Sequence, residues 1–157
     1  MQTSDKERAE KAMRLRTVKL SPRGEDMESE LISLQIHESA ENYLETIYIL
    51  SKKLPVVRSV DIATELNFKK PSVSVAMKNL REKKLITVSD AGFITLTDEG
   101  KAQAEAIYDR HTTLSKMFMM LGVSEKTAVE DACLIEHIIS EESFVAIKNH
   151  LKEKNAF

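Results

Sequence analysis

The spacing of apolar residues changes from a helical period to a period of two near the middle of the chain. Two helical patterns, separated by a tight turn, occupy Val60–Lys84, with Pro71 at the start of the second. Two runs of alternating apolar and polar residues follow directly, Ile86–Ser89 and Phe93–Thr97, on either side of a turn that contains Gly92. This order predicts a helix-turn-helix followed by a β-hairpin.

Helical patterns lie on both sides of this segment. The first predicted helix runs from Glu38 to about Lys53. A long fourth helix is predicted between Thr97 and Gly122, a fifth from Ser124 to about Ile139, and a sixth after Ser140. The fold class is therefore mainly α, and four Gly and three Pro among 157 residues agree with a helix-rich chain.

The second helix of the predicted pair is basic. Between Lys69 and Lys84 there are six Lys or Arg and one Glu, in a chain whose formal net charge is −2. In a winged helix-turn-helix this helix enters the major groove of DNA, and cations along it bind phosphates. The predicted DNA-binding residues face outward or lie in the preceding turn: Lys69, Lys70, Pro71, Ser72, Val75, Lys78, Asn79 and Lys83.

Three candidate metal ligands lie close together in the fifth predicted helix. Cys133, Glu136 and His137 are spaced three and four residues apart, so they share one helix face. A thiolate, a carboxylate and an imidazole together suit a divalent transition metal. Taken singly, the cysteine and the histidine are also ordinary core residues. Further candidates are Asn42 and Glu45 in the first predicted helix and His111 in the fourth.

Four segments in sequence order carry a resemblance to a known family: Glu41–Tyr48, Val60–Lys84, Asp109–His111 and Asp131–His137. Together they resemble the DtxR/MntR family of metal-dependent transcriptional repressors, over roughly residues 38–150. The resemblance implies a homodimer built on the fourth and fifth helices. It also implies a divalent metal as corepressor and a palindromic operator upstream of metal-uptake genes. The length is that of a short, MntR-sized member.

The resemblance also implies a ligand set. The implied ligands are Glu45, His111, Cys133, Glu136 and His137. Asn42 stands where the manganese branch has Asp and the iron branch has Met. Cys133 matches the iron branch, whereas Glu45 and His111 match a dinuclear manganese site. The predicted cofactor is therefore Fe(II) or Mn(II), with the thiolate favouring iron, and Co(II), Ni(II) or Zn(II) are expected to substitute.

We predict three segments and a cytoplasmic location. The segments are a basic, flexible arm over residues 1–30, a winged helix-turn-helix over 31–97, and a helical metal-binding and dimerisation domain over 98–157. The chain has a single cysteine and no run of about 20 apolar residues, so we expect neither a disulfide nor a membrane span.

The sequence predicts binding and no enzymatic turnover. It contains no nucleophile with an adjacent base and no Gly-rich phosphate cradle, so no organic substrate is expected. Two alternatives remain at this point. One is a metal-independent winged-helix regulator in which Cys133 and His111 are core residues. The other is a small metallohydrolase in which Glu136 activates water beside a metal.

Overall fold

The structure, a computed structural model, describes the backbone of residues 24–154 and the side chains of residues 39–154. The chain divides into two units, Met1–Gln35 and Ile36–Phe157, and the candidate functional residues lie in the second. The elements of the described part are α1 (Gly24–Lys53), α2 (Ser59–Leu66), α3 (Lys70–Glu82), β1 (Ile86–Val88), β2 (Ile94–Leu96), α4 (Asp98–Met120), α5 (Glu125–Ile135) and α6 (Glu141–Glu153).

Helix α1 begins at Gly24, well before the predicted start at Glu38. The sequence prediction was wrong here because it placed the start of the helix at the first strong apolar stripe. An apolar stripe marks where a helix packs and not where it begins, and no Gly or Pro occurs between Glu25 and Leu54 to interrupt this helix. Residues 1–23 of the predicted basic arm lie outside the described residues, and the arm remains a prediction.

The helix-turn-helix is formed by α2 and α3 as predicted. Asn67 ends α2 in the left-handed conformation at φ 53°, and the amide of Phe68 donates to the carbonyl of Ala63 at 3.0 Å. Helix α3 has Pro71 in its first turn, where the missing N–H costs no hydrogen bond. The buried residues of both helices pack in one core with those of α1. This core includes Leu44, Ile47 and Leu50 of α1, Ile62 and Ala63 of α2, and Val73, Met77 and Leu80 of α3.

The wing, residues 86–96, is a short antiparallel hairpin. β1 pairs with β2 in the register Ile86 to Leu96 and Val88 to Ile94. Gly92 occupies the turn at φ 78°, a conformation that favours glycine. The amide of Ile94 also donates to the carbonyl of Val57 at 2.8 Å, so the loop after α1 pairs with the free edge of β2. Strand β2 therefore has a hydrogen-bonded partner on each side, β1 on one and Val57 on the other.

Thr97 joins the wing to helix α4. Its hydroxyl accepts the amide of Gly100 at 3.1 Å, which caps α4 as predicted, and donates to the carbonyl of Lys84 at 2.8 Å. A Cβ at Gly100 would lie 1.9 Å from the carbonyl oxygen of Leu85. The first turn of α4 thus contacts the backbone that leads into the wing, at a distance that only glycine allows.

The C-terminal half is helical, and α4 packs against both α5 and α6. Ala128 and Ala132 on α5 are fully buried. Helix α6 is capped by Ser140, whose hydroxyl accepts the amide of Ser143 at 3.2 Å, and it buries Phe144 and Leu151. Among the helices of the described part, none is long and apolar enough to cross a membrane.

Helix α5 ends at Ile135, before the predicted end at Ile139. The local sequence has no stop signal, since no Gly or Pro follows within the next few residues. The guanidinium of Arg110 on α4 donates hydrogen bonds to the carbonyl oxygens of Glu136 and Ile139, each at 3.3 Å. The end of α5 is thus associated with a tertiary contact, which a local pattern cannot predict.

Candidate metal centre

Six polar side chains from three parts of the chain form one cluster. Helix α1 contributes Glu41, Asn42 and Glu45, helix α4 contributes His111, and the segment after α5 contributes Glu136 and His137. We call this set the carboxylate–imidazole cluster. Its α1 members share one face, because residues four apart lie on the same side of a helix.

The most buried part of the cluster consists of Glu45, His111 and Glu136. Their ligand atoms all lie within 4.8 Å of one another, and His111 Nδ1 is 2.8 Å from Glu136 Oε2. The side chain of Glu136 has no exposed surface. Glu45 Oε1 is buried and has no hydrogen-bond partner within the described residues, and Glu136 Oε1 is buried with His137 Nε2 3.2 Å away. A buried carboxylate oxygen without a donor is costly, and a cation between these groups would remove that cost.

His137 connects this group to the surface of α1. Its Nδ1 is 2.5 Å from Glu41 Oε2, and its Nε2 is 3.0 Å from Asn42 Oδ1 and 3.2 Å from Glu136 Oε1. Since both ring nitrogens face oxygen acceptors, the geometry fits a doubly protonated imidazolium. A metal ion would replace the Nε2 proton, and Glu41 would still hold Nδ1, as carboxylates commonly hold ligating histidines.

The pKa values of the cluster follow from burial and mutual charge. Burial, aided by the charge of Glu136, raises the pKa of Glu45 to about 7. Burial lowers the pKa of His137, but contacts with Glu136 and Glu41 outweigh it and raise that pKa to about 9. The hydrogen bond with Glu136 raises the pKa of His111. Burial alone would raise the pKa of Glu136, but hydrogen bonds with the two histidines lower it. The raised pKa values of the two histidines therefore favour positive charge on the imidazoles beside the negative charge of Glu136.

The donor set fits a divalent first-row transition metal. Carboxylate and amide oxygens with two imidazole nitrogens suit Mn(II), Fe(II) or Zn(II), whereas Ca²⁺ and Mg²⁺ prefer oxygen alone. Glu136 contacts both histidines, His111 through Oε2 and His137 through Oε1. The residues of the cluster therefore fit the divalent metal ion that the sequence predicts.

Five of the six predicted metal ligands lie in the cluster, and Cys133 does not. Cys133 is exposed on α5. Cys133 directly follows the fully buried Ala132, from which it is turned by about 100° around the helix axis. Glu136, four residues after Ala132, returns to the buried face. Cys133 as a ligand remains a prediction.

Sequence reasoning missed Glu41. Its carboxylate is the partner of His137 Nδ1, at 2.5 Å. The available signal was its spacing, since Glu41 lies four residues before Glu45 and thus on the same face of α1.

The predicted DNA-binding face of α3 is exposed. Val73, Met77 and Leu80 are buried, and the opposite face of the helix is open to solvent, with Val75 61% exposed. Lys78 lies 3.9 Å from Glu82 on this surface. All eight predicted DNA-binding residues are exposed: Lys69, Lys70, Pro71, Ser72, Val75, Lys78, Asn79 and Lys83.

The fold and the cluster together define a winged-helix protein with a candidate divalent-metal centre built from its first helix and its helical second half. Comparison with protein families agrees. Residues 35–92 match the family described as iron dependent repressor, N-terminal DNA binding domain. Residues 97–155 match the family described as iron dependent repressor, metal binding and dimerisation domain.

Individual relatives are similar over most of this chain. It is 36% identical over 114 residues to an HTH-type transcriptional regulator of Methanocaldococcus jannaschii, covering 71% of this chain and 90% of the relative. It is 32% identical over 111 residues to the transcriptional regulator MntR of Escherichia coli O157:H7, covering 71% and 72%. A solved manganese-dependent transcriptional repressor in complex with manganese matches with a TM-score of 0.66 and 26% identity, covering 72% of this chain. This chain spans about half the length of that structure, 52%.

The chain belongs to the DtxR/MntR family of iron-dependent repressors. It is a metal-dependent transcriptional repressor with a DNA-binding domain and a domain for metal binding and dimerisation. The predicted fold class and family are confirmed. Because this family consists of transcriptional regulators, the metallohydrolase alternative is set aside.

Proposed function

We propose that this protein represses metal-uptake genes in the cytoplasm by binding a palindromic operator as a homodimer when Mn(II) or Fe(II) is bound. The observation that carries the proposal is a pair of buried carboxylates, Glu136 and Glu45, of which Glu45 Oε1 has no hydrogen-bond partner within the described residues. They lie beside His111, whose Nδ1 contacts Glu136. A buried oxygen without a donor favours a bound cation over a site held by protons alone.

Helix α1 couples this site to the DNA-binding half. One face carries Asn42 and Glu45 of the cluster, and the neighbouring face buries Leu44 and Ile47 in the helix-turn-helix core. A bound divalent ion supplies positive charge shared by α1, α4 and the segment after α5. With that charge in place, α1 is held against α4 and carries the helix-turn-helix core with it. In a dimer this fixes the spacing between the two α3 helices, and that spacing must match the operator half-sites.

The described donors favour Mn(II) and Fe(II) about equally. Oxygen and imidazole ligands without sulfur suit Mn(II), and the solved relative with a TM-score of 0.66 is a complex with manganese. Fe(II) accepts the same ligands, as do Co(II), Ni(II) and Zn(II). Coordination by Cys133 would favour iron, zinc or cobalt over manganese, so this thiol decides the preference.

The exposed face of α3 is proposed to contact DNA with two kinds of side chain. Lys69, Lys70, Lys78 and Lys83 would bind phosphates, which gives affinity without sequence information. Pro71, Ser72, Val75 and Asn79 would contact base edges and thymine methyl groups in the major groove.

The proposal is tested by measuring operator binding with and without metal under anaerobic conditions. The ligand variants are His137→Ala and Glu136→Gln, and the matched control is His150→Ala, an exposed histidine on α6. We expect Mn(II) and Fe(II) to increase operator affinity of the parent and control proteins. Both ligand variants should stay folded and lose the metal response.

Two outcomes would contradict the proposal. If the parent protein binds its operator equally well in excess chelator, the protein is a metal-independent regulator. If the ligand variants keep the parent's metal affinity but lose much of their metal-free stability, Glu136 and His137 are core residues.

A further inference from the structure

The side chain of Arg110 on α4 contacts the segment after α5 at several points. This segment, residues 136–140, carries Glu136 and His137, and we call it the ligand connection. The guanidinium donates to the carbonyl oxygens of Glu136 and Ile139, each at 3.3 Å, and forms an ion pair with Glu141 at the start of α6. It also lies 5.2 Å from the ring centre of Phe144.

The ligand connection has little helical structure of its own to hold it. Helix α5 ends at Ile135, and the amides of Ile138 and Ile139 both donate to the carbonyl of Ile135. The carbonyl of Glu136 has no helical partner there, and the planar guanidinium supplies donors to it and to Ile139 at once. One side chain therefore fixes both ends of a five-residue segment.

Arg110 is also the residue immediately before His111 in α4. Its backbone therefore belongs to the helix that carries one ligand, and its side chain holds the backbone that carries two others. Because an ion requires its ligands at well-defined distances, small displacements of Glu136 from His111 weaken binding.

We propose that Arg110 is a positioning residue that holds Glu136 and His137 in register with His111 for ion binding. This inference rests on the proposed function, since it assumes that the carboxylate–imidazole cluster binds the ion. Arg110 would not contact the ion itself. It acts through the backbone of the ligand connection.

The chain offers a matched control in Lys148. Lys148 forms an ion pair with Asp109 of α4 and lies 5.7 Å from the centre of the Phe144 ring. Its ion pair thus fastens α6 to α4, and it contacts the same aromatic ring as Arg110 does. No contact of Lys148 with the ligand connection is present in the described structure, so Lys148→Ala removes comparable packing without this feature.

The experiment compares the parent protein, Arg110→Ala, Arg110→Lys and Lys148→Ala. Affinity for Mn(II) is measured by titration, the absorption spectrum of Co(II) reports ligand geometry, and amide hydrogen exchange of the ligand connection is followed in the metal-free protein. We expect Arg110→Ala to lose about 10- to 100-fold in Mn(II) affinity, to change the Co(II) spectrum and to exchange faster at Ile138 and Ile139.

The other variants distinguish positioning from stability. Arg110→Lys keeps the charge but lacks the planar guanidinium, whose two nitrogens reach the carbonyls and Glu141 separately, so we expect an intermediate loss. Lys148→Ala should lower the melting temperature and leave the Mn(II) affinity and the Co(II) spectrum unchanged.

Equal Mn(II) affinities for Arg110→Ala and Lys148→Ala would overturn the inference. Should Arg110→Ala fail to fold, a parent-like affinity and spectrum in Arg110→Lys would overturn it. A parent protein that binds no metal would overturn the proposed function itself.

Discussion

Glu136 is the residue on which the candidate metal centre depends most. Its side chain is fully buried, and its two oxygens face His111 and His137 from opposite sides. Burial of a carboxylate is costly unless cations surround it, and the two imidazoles supply that charge in the metal-free protein. A divalent ion can take over the same role, so the metal-free and metal-bound states differ by an exchange of protons for metal.

Cys133 is the residue at which the iron and manganese patterns differ. We expect Cys133→Ala to leave Mn(II) affinity within about twofold of the parent, because the exposed thiol lies outside the cluster. The Co(II)-loaded parent should then lack the near-ultraviolet band of a coordinated thiolate. A strong thiolate band in the parent would show instead that Cys133 becomes a ligand when metal binds.

The metal-free protein should lose stability as the pH rises from about 6.5 to 9. The pKa of His137 is raised from 6.5 to about 9, so its favourable charge is fully present below 6.5 and lost through 9. Glu45 acts in the same direction at lower pH, because its pKa of about 7 penalises ionisation in the folded state. Thermal unfolding in chelator should show a loss on the order of 2 to 3 kcal/mol over this range for His137. The variant His137→Gln should show a much flatter pH profile, and an unchanged profile would contradict the assignment.

At the scale of elements, local patterns predicted the order of helices and strands and failed where distant residues determine an end. Thr97 and Ser140 were correctly predicted as caps because a cap bonds within its own turn. The end of α5 at Ile135 involves Arg110, which is 26 residues away from Glu136 in sequence. Likewise, helical spacing predicted that Cys133, Glu136 and His137 share a face, but the helix ends before Glu136. Sequence spacing pointed to residues that lie together in the cluster and could not predict their exact assembly.

Helix α3 should bind DNA chiefly through phosphate contacts. We expect Lys78→Ala to weaken binding to operator and random DNA alike and to reduce the salt slope by about one. Lys126→Ala is the matched control, because Lys126 forms an equivalent 3.9 Å ion pair with Glu130 on the exposed surface of α5. Electrophoretic mobility at several salt concentrations measures both effects. A change in sequence preference with an unaltered salt slope would place Lys78 against bases and not against phosphates.

The start of α4 should tolerate no side chain at Gly100. Alanine favours helices more than glycine does, but its Cβ would lie 1.9 Å from the carbonyl oxygen of Leu85. We therefore expect Gly100→Ala to lower the free energy of unfolding by about 1 to 3 kcal/mol, as overpacking does. Lys101→Ala, at the exposed neighbouring position, should change it by less than about 0.5 kcal/mol. Urea titration of both variants checks this, and a stabilised Gly100→Ala would show that the first turn of α4 can move away.

At the scale of the whole molecule, the cluster joins residues that lie far apart in the sequence. Helix α1 belongs to the core of the helix-turn-helix, whereas α4, α5 and α6 form the helical second half. Family matches to residues 35–92 and 97–155 divide the chain at the same place. A ligand that binds only the folded arrangement stabilises all of it, by an amount set by concentration and affinity.

Metal should therefore raise the stability of the whole described fold. At a free Mn(II) concentration 100 times its dissociation constant, the free energy of unfolding should rise by about 2.7 kcal/mol for one site. Thermal unfolding with Mn(II) and after chelation measures the difference, and His150→Ala should behave as the parent does. Under the same Mn(II) concentration, Glu136→Gln should show no rise. A rise as large in Glu136→Gln as in the parent would mean that the stabilising ion binds elsewhere.

The contact between Glu41 and His137 spans 96 residues of sequence. During synthesis the helix-turn-helix emerges from the ribosome well before Glu136 and His137 are made, so the nascent chain acquires its recognition helix before it has any means of sensing metal. A chain terminated prematurely after the wing would still carry every residue of the DNA-binding face. Such a fragment would lack His111, Glu136 and His137, so no metal concentration could act on it through the cluster.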